Sequence, residues 1–385
     1  MVKMNSRMGQ YLKLSAGGEV YHAYIPQPLP PKPPINMEKI YPLLDKANVA
    51  LGRLDGISNI LSNSDLFLYL FIRKEAVLSS QIEGTQSSLS DLLMYENKET
   101  PHVPTYDVIE VSRYVAAMEH GLKRLKKDRF PLSLRLIREI HEILLHPGRG
   151  SDKHPGEFRR SQNWIGGTRP GNAKFVPPPP EKLMELLGDF EKFLHDKVHQ
   201  MPTLIKAALV HVQFETLHPF LDGNGRLGRL LITFLLCVEG VLEKPLLYLS
   251  LYFKMHRQQY YNYLQLVRET GDWESWIQFF LEGVIVTTEQ ALQTAQEIMQ
   301  LFKKDTQKIE SLGRPAASAL KVHSYLQQHP TSDIAKIAHC CHMSTPTMTK
   351  SLQHLISLGI VQEITGKKRR RVYQYKEYVD ILNRG

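Results

Sequence analysis

Apolar residues recur at three- and four-residue steps along most of the chain, the spacing that gathers them on one face of an α-helix. Leu43, Leu44, Ala47, Ala50, Leu51 and Leu54 set this pattern inside a helical stretch over 36–98. A second run within it reaches from Asp65, near its start, to Ile82, with Gly84 as a stop. Amphipathic helices are expected at 107–126 and 133–146, the second ended by Pro147 and the glycines after it, Gly148 and Gly150. Further helices are expected at 181–198, 203–217, 226–239, about 255–270 and 273–303.

Two stretches break the helical period. Residues 26–34, PQPLPPKPP, are dense enough in proline to be extended, and read as an arm laid over the body. Residues 147–180 are cut by glycines and closed by Pro177 to Pro180. Within them NWI and KFV flank GGTRPGNA, which predicts a short β-hairpin. Residues 1–313 therefore read as almost all-α with one hairpin.

The logic changes at SLGRP, residues 311–315. Helices are expected at 316–328, 332–340 and 345–358, the third capped by Ser344 with Pro346 in its first turn and Gly359 at its end. Two β-like runs, Ile360 to Thr365 and Val372 to Tyr375, then flank Gly366 and five consecutive basic residues, Lys367, Lys368, Arg369, Arg370 and Arg371. Three helices followed by a basic hairpin is a winged helix-turn-helix pattern, with the basic run as a candidate DNA contact. The fold class is mostly α, in three units: an N-terminal arm and helical region over 1–106, a body over 107–313 and a winged helix over 314–385.

A length of 385 residues suits two to three domains and a core that needs no disulfide or metal staple. With 42% hydrophobic and 23% charged residues, a collagen-like or wholly disordered chain is excluded. The net charge of +9 is unevenly placed. Residues 314–385 hold 11 Lys and Arg against four Asp and Glu, so the remaining 313 residues carry only +2. The excess that suggests a nucleic-acid partner thus belongs to the C-terminal unit. Three cysteines, Cys237 and the adjacent Cys340 and Cys341, suggest reduced thiols and a cytoplasmic setting. The N-terminus lacks the apolar core of a signal peptide, and the longest apolar stretch, Leu230 to Val238, is too short to span a bilayer. His339, Cys340, Cys341 and His342 are four successive residues and cannot converge tetrahedrally on one ion, so no metal site is expected there.

The candidate chemistry lies in residues 218–229, HPFLDGNGRLGR, between two helices. Backbone amides of a glycine loop at a helix N-terminus form a cradle for anions. Arg226 and Arg229, three apart, share a face of that first turn and would clamp a polyphosphate. Asp222 supplies a hard oxygen for Mg²⁺. His218, at the other end of the loop, has the near-neutral pKa of a general base. Base, metal ligand, anion hole and clamps together suit transfer of a phosphate-containing group.

This stretch resembles the Fic family signature HPFx[DE]GNGRxxR at every position. RRSQNWIGGTRPGNAKFVPPPPEKL resembles the family's flap, and a C-terminal winged helix is common in its bacterial long-chain members. The resemblance implies a Fic helical core with a β-hairpin flap, and AMP transfer from ATP to a Ser, Thr or Tyr hydroxyl of a protein, itself included, with pyrophosphate released. It implies His218 as the base, Asp222 as the Mg²⁺ or Mn²⁺ ligand, and Phe220 as a buried anchor of the loop. It places Gly223, Asn224, Gly225, Arg226, Leu227, Gly228 and Arg229 around the nucleotide, with Asn224 near the α-phosphate, Arg226 on the β-phosphate side and Arg229 on the γ-phosphate. Gly225 stands where the phosphotransferring, Doc-like branch carries Lys, which favours AMP transfer. Tyr260 and Tyr261, ahead of Tyr263, resemble part of the adenine pocket. The flap would add an extended target segment as a strand, with Gly167, Thr168, Arg169 and Pro170 at its tip. His211 reads as a packed helix histidine.

SSQIEG at 79–84 resembles the family's inhibitory motif [ST]xxxE[GN], carried here by Ser79, Glu83 and Gly84. A carboxylate at the end of a helix lying over the site would pair with Arg229 and hold ATP unproductively. The expected partners are ATP, a hydroxyl-bearing target protein, DNA through the winged helix, and a second copy of the chain; no membrane is expected. Two alternatives remain beside the AMP transferase: a DNA-binding regulator with secondary Fic activity, and a Fic enzyme acting as a de-AMPylase or using another donor.

Overall fold

A computed structural model describes residues 7–60, 64–146 and 150–384, without the side chains of residues 16, 58–60 and 64–67. The expected stop at Pro147 and Gly148, the side chain of Asp65 and the first six residues lie outside the described residues. The chain opens with a hairpin, β1 (Gln10–Ala16) and β2 (Glu19–Ile25), turned at Gly17 and Gly18. This corrects the expectation of a single hairpin before residue 313. Both turn glycines have positive φ, as a tight two-residue hairpin turn requires. Tyr24 N–H donates to Val176 O at 2.9 Å, so the hairpin lies along the glycine-rich segment. The proline arm then crosses the body, with Gln27 O accepting from Gln213 Nε2 at 3.1 Å.

Eleven helices follow among the described residues before the sequence boundary. They are α1 (Tyr41–Ile60), α2 (Ser64–Ile82), α3 (Leu89–Glu96) and α4 (Thr105–Leu122, extended by a π-turn at Lys123–Lys127). Next come α5 (Leu134–Leu145), α6 (Pro180–Leu194), α7 (Thr203–Leu217) and α8 (Asn224–Val238). Last are α9 (Ser250–Met255), α10 (Arg257–Thr270) and α11 (Trp273–Glu310). Helices α7 and α8 are buried along nearly every position and form the centre of the core. They are buried on every face, and their buried polar side chains, His211 and Glu215 of α7 and Arg226 and Arg229 of α8, mark where the core meets the site. The hairpin expected at 163–176 is reduced to one antiparallel bridge, Ile165 with Phe175. Its tip is instead a 3-10 turn at Pro170–Asn172, because Asn172 Oδ1 accepts from both Thr168 N and Arg169 N at 3.0 Å.

The C-terminal unit consists of α12 (Ala316–Gln328), β3 (Thr331–Asp333), α13 (Ile334–Cys340), α14 (Thr345–Ser357), β4 (Val361–Glu363), β5 (Val372–Tyr375) and α15 (Lys376–Asn383). Its antiparallel sheet has the order β3-β5-β4. The start of the helix expected at 332–340 is therefore strand, since Asp333 caps α13 through Ala335 N and Lys336 N. One apolar cluster runs from Leu70, Phe71 and Leu78 of α2 through α11 into Leu326, Leu352 and Tyr378. Tyr375 OH donates to the buried Asp305 at 2.8 Å, and Lys74 Nζ to Arg384 O at 2.8 Å. The unit is docked on α2, α3 and α11 rather than tethered.

Candidate functional site

Helix α7 ends at His218, whose left-handed backbone (φ 45°) turns the chain out of the helix while its N–H still donates to Phe214 O. The loop that follows is held from inside. Asn224 accepts from Phe220 N at 2.9 Å and donates to Phe220 O at 2.8 Å. Phe220 is buried, its ring stacked on His141 at 3.7 Å. His141 Nδ1 accepts from Gly156 N, so its Nε2–H donates to Asp222 O at 3.0 Å. Gly223, with φ 77°, lets the chain re-enter helix α8 at Asn224.

His218, Asp222, Gly223, Asn224, Gly225, Arg226, Glu83 and Glu110 line one cavity of about 170 Å³. The near-neutral pKa expected of His218 is corrected: burial first, then the charges of Arg159 and Arg268, push it down to about 3, so its ring is neutral at pH 7. A neutral imidazole is the form that accepts a proton. Asp222 Oδ1 accepts from Gly223 N at 2.6 Å, and its carboxylate is partly exposed. Room for it comes from Gly150, where a Cβ would stand 2.8 Å from Asp222 Oδ2. One hard, open oxygen beside an amide loop fits a divalent cation that takes its other ligands from phosphate and water.

The two arginines diverge. Arg226 Nη1 pairs with Glu110 Oε1 of α4 at 2.8 Å, both side chains almost fully buried. Arg229 turns to α2. Its Nε donates to Ser79 Oγ at 2.8 Å, and its Nη2 to Ser79 O at 3.0 Å and Glu83 Oε1 at 2.6 Å. Burial alone would raise the Glu83 pKa, but the Arg229 guanidinium outweighs it and holds the carboxyl below its usual range. Glu83 Oε1 also stands so close over Gly225 that a Cβ there would collide with it. Ser79, Glu83 and Arg229 thus form one contact, of which Glu83 also lines the cavity.

Other expected residues are set back. Leu227 is fully buried, and a Cβ on Gly228 would meet Glu215 and Phe214 of α7, so both serve helix packing. Tyr260 is buried with its OH bonded to His211 Nε2 at 2.8 Å, while His211 Nδ1 bonds Gly228 O. Tyr261 is 38% exposed and is the one of the pair that faces open space. Gly167, Thr168 and Arg169 are exposed, Pro170 half-buried, and Arg169 Nε pairs with Glu19 Oε1 of the N-terminal hairpin at 2.8 Å. The basic residues Lys367 to Arg371, expected as a wing, are exposed, with Lys367 paired to Glu99.

Several site residues escaped the sequence reading. Glu110 is a carboxylate inside an apolar helical run, VIEVSRYV, a signal that was present. Arg159 and Asn163 bond mostly to backbone carbonyls, which leave no mark in the sequence. Arg268 donates to Thr216 Oγ1 and Glu215 O at the end of α7 and lies 3.9 Å over the Phe175 ring. Glu215 and Glu75 are buried carboxyls pushed up to about 7 by that burial.

Residues 131–236 match the Fic/DOC family profile, and residues 41–123 match its N-terminal profile. The chain belongs to the Fic/DOC family. Among relatives, "Protein adenylyltransferase Fic" of Aedes aegypti is 28% identical over 303 residues, 78% of this chain and 57% of the relative. The protein of the same name from Culex quinquefasciatus is 30% identical over 264 residues, 68% of this chain and 49% of the relative. The chain thus spans about half the length of these relatives. A Fic family protein from Desulfovibrio desulfuricans shares the fold at a TM-score of 0.56 and 17% identity, covering 87% of this chain and 96% of that one. Fic-1 (aa134–508) from C. elegans does so at 0.53 and 21%, covering 68% and 75%. Among the described residues no helix is long and apolar enough to cross a membrane.

Proposed function

We propose that this Fic protein is a protein adenylyltransferase held in check by Glu83. The observation that carries the reading is the shared cavity of His218, the Gly223–Gly225 loop and Asp222, with Glu83 placed over Gly225 and paired to Arg229. ATP lies with its phosphates on the loop amides at the N-terminus of α8, where backbone N–H groups point outward. Asp222 would hold Mg²⁺ or Mn²⁺, and the ion would offset phosphate charge. His218 takes the proton of a target Ser, Thr or Tyr hydroxyl. The freed oxygen bonds the α-phosphorus, the bond from that phosphorus to its bridging oxygen breaks, and pyrophosphate leaves. Arg229 receives the γ-phosphate only when Glu83 releases it. The catalytic unit is 107–313, preceded by the inhibitory region 1–106. The segment at Gly167–Pro170 presents the target, and Tyr261 borders the adenine.

The test is direct. Incubation with α-labelled ATP and Mg²⁺ labels protein in the Glu83→Gly variant, and the label is lost in Glu83→Gly/His218→Ala. Labelling that survives His218→Ala overturns the assignment.

A second reading concerns the C-terminal unit, 314–385, as a winged helix that engages DNA. It is supported by the exposed basic run and by residues 334–362, which contain no Asp or Glu. It adds to the transferase reading and does not replace it. The chain would act in the cytoplasm.

A further inference from the structure

Four successive carbonyls of the loop that carries His218 are taken by two residues from a distant segment. Arg159 Nη2 reaches Leu217 O at 3.4 Å, and Arg159 Nε reaches His218 O at 2.9 Å. The backbone N–H of Arg159 donates to Pro219 O at 2.9 Å. Asn163 Nδ2 donates to both His218 O at 3.2 Å and Phe220 O at 3.0 Å. Arg159 is itself anchored by Pro178 O at 2.5 Å and Ser161 O at 3.2 Å. It is 4% exposed, and no carboxylate bonds it among the described residues. A buried arginine spent on backbone oxygens is costly unless the geometry it imposes matters.

The geometry in question is the left-handed turn at His218, a conformation that a residue with a side chain adopts only when its surroundings enforce it. The His218 carbonyl is the centre of the clamp. Its fixed position holds the backbone from which the ring departs. We propose that Arg159 and Asn163 are positioning residues of the transfer reaction, aiming the His218 ring at the target hydroxyl by locking the carbonyls of residues 217–220. The inference rests on His218 being the base. The same segment continues through Trp164 to Ile165, which bridges to Phe175, so the proposed target-presenting backbone and the base share one anchor. The charged groups facing the ring are Arg159, Arg268 of α10 and Glu83 beyond the end of α2. Removal of the Arg159 charge therefore leaves a second mark, because that charge opposes protonation of the ring.

The experiment compares Arg159→Lys, Arg159→Gln and Asn163→Ala in the full chain carrying Glu83→Gly, with ATP affinity measured by calorimetry. Misaiming a base by an ångström costs on the order of 100-fold. The expected result is a kcat loss of about ten- to 100-fold in all three, with KM for ATP and calorimetric affinity changed less than about threefold. The His218 ring, identified in NMR spectra by comparison with His218→Ala, titrates higher in Arg159→Gln and near its original position in Arg159→Lys. A merely structural residue would lower kcat, ATP affinity and melting temperature together and leave the titration in place; that pattern overturns the proposal. Unchanged kcat in Asn163→Ala and Arg159→Lys also overturns it. Full activity of His218→Ala would instead overturn the base assignment.

Discussion

The most informative perturbation is Glu83→Gly. In the structure Glu83 contributes one hydrogen-bonded charge contact to Arg229, at 2.6 Å, and fills the space over Gly225. Hydrogen bonds to charged groups are worth about 1.5–3 kcal/mol. A third of the Glu83 side chain is open to solvent, so screening places the contact at the low end, about 1.5 kcal/mol. That energy is about tenfold in the competition between Glu83 and the γ-phosphate. The guanidinium does not become loose when Glu83 is removed, because Ser79 Oγ and Ser79 O still accept from Arg229 Nε and Nη2. The variant is thus expected to transfer AMP about tenfold faster than wild type at subsaturating ATP, and Glu83→Gln, which keeps a neutral acceptor, by an intermediate factor. Initial rates with α-labelled ATP over a range of concentrations, with melting curves to match folded protein, measure this. Equal rates of Glu83→Gly and wild type at every ATP concentration would refute the reasoning.

Two further outcomes follow from charge. Burial lowers the pKa of His141 and His323 to about 4 and of His211 and His218 to about 3, from 6.5. Below pH 6.5 the unfolded chain gains protons that these four refuse, so their effect is a loss of stability as pH falls. Glu75 and Glu215, raised to about 7, keep protons that the unfolded chain releases above 4.5, which acts in the opposite direction. Four against two leaves the histidines ahead, so the urea midpoint is expected to be lower at pH 5 than at 6.5; a constant or rising midpoint on acidification contradicts this. For the wing, full-length protein is expected to retain duplex DNA at low salt. Replacing Lys367 to Arg371 with serine should flatten the log-affinity against log-salt slope by about 0.9 per lost phosphate contact, with AMP transfer intact. Failure of the wild type to retain DNA at low salt rules the reading out.

Helix periodicity located most of the body because its helices are held by their own repeating contacts. Helix α7 and strand β5 begin and end where the apolar pattern does. The N-terminal hairpin was missed although GlyGly divides two β-prone runs, because adjacent apolar pairs such as Tyr11–Leu12 blur the two-residue alternation. The glycine-rich segment was read as a fuller hairpin than it is, since the Asn172 side chain, not a strand ladder, closes its tip. At the site, the side chains that face the cavity were legible as a dense motif. The supports were not: Arg159 and Asn163 lie 55–60 residues before the carbonyls they hold, and any residue has a carbonyl. The docking of the C-terminal unit was invisible for a related reason, as an apolar position on α2 does not say which partner covers it.

That docking gives α2 two loyalties. Its Leu70, Phe71 and Leu78 pack in the apolar cluster that continues into the C-terminal unit, while the residue after Leu78, Ser79, accepts from Arg229. At a rise of about 1.5 Å per residue the helix is a stiff rod of under 30 Å, so these contacts along it move together. Thermodynamic reciprocity then applies. A ligand of the C-terminal unit that favours one seating of α2 alters phosphate affinity at Arg229 by some factor, and phosphate alters that ligand's affinity by the same factor. If α2 has two seatings, occupancy of the phosphate site would thereby be reported to whatever the C-terminal unit binds.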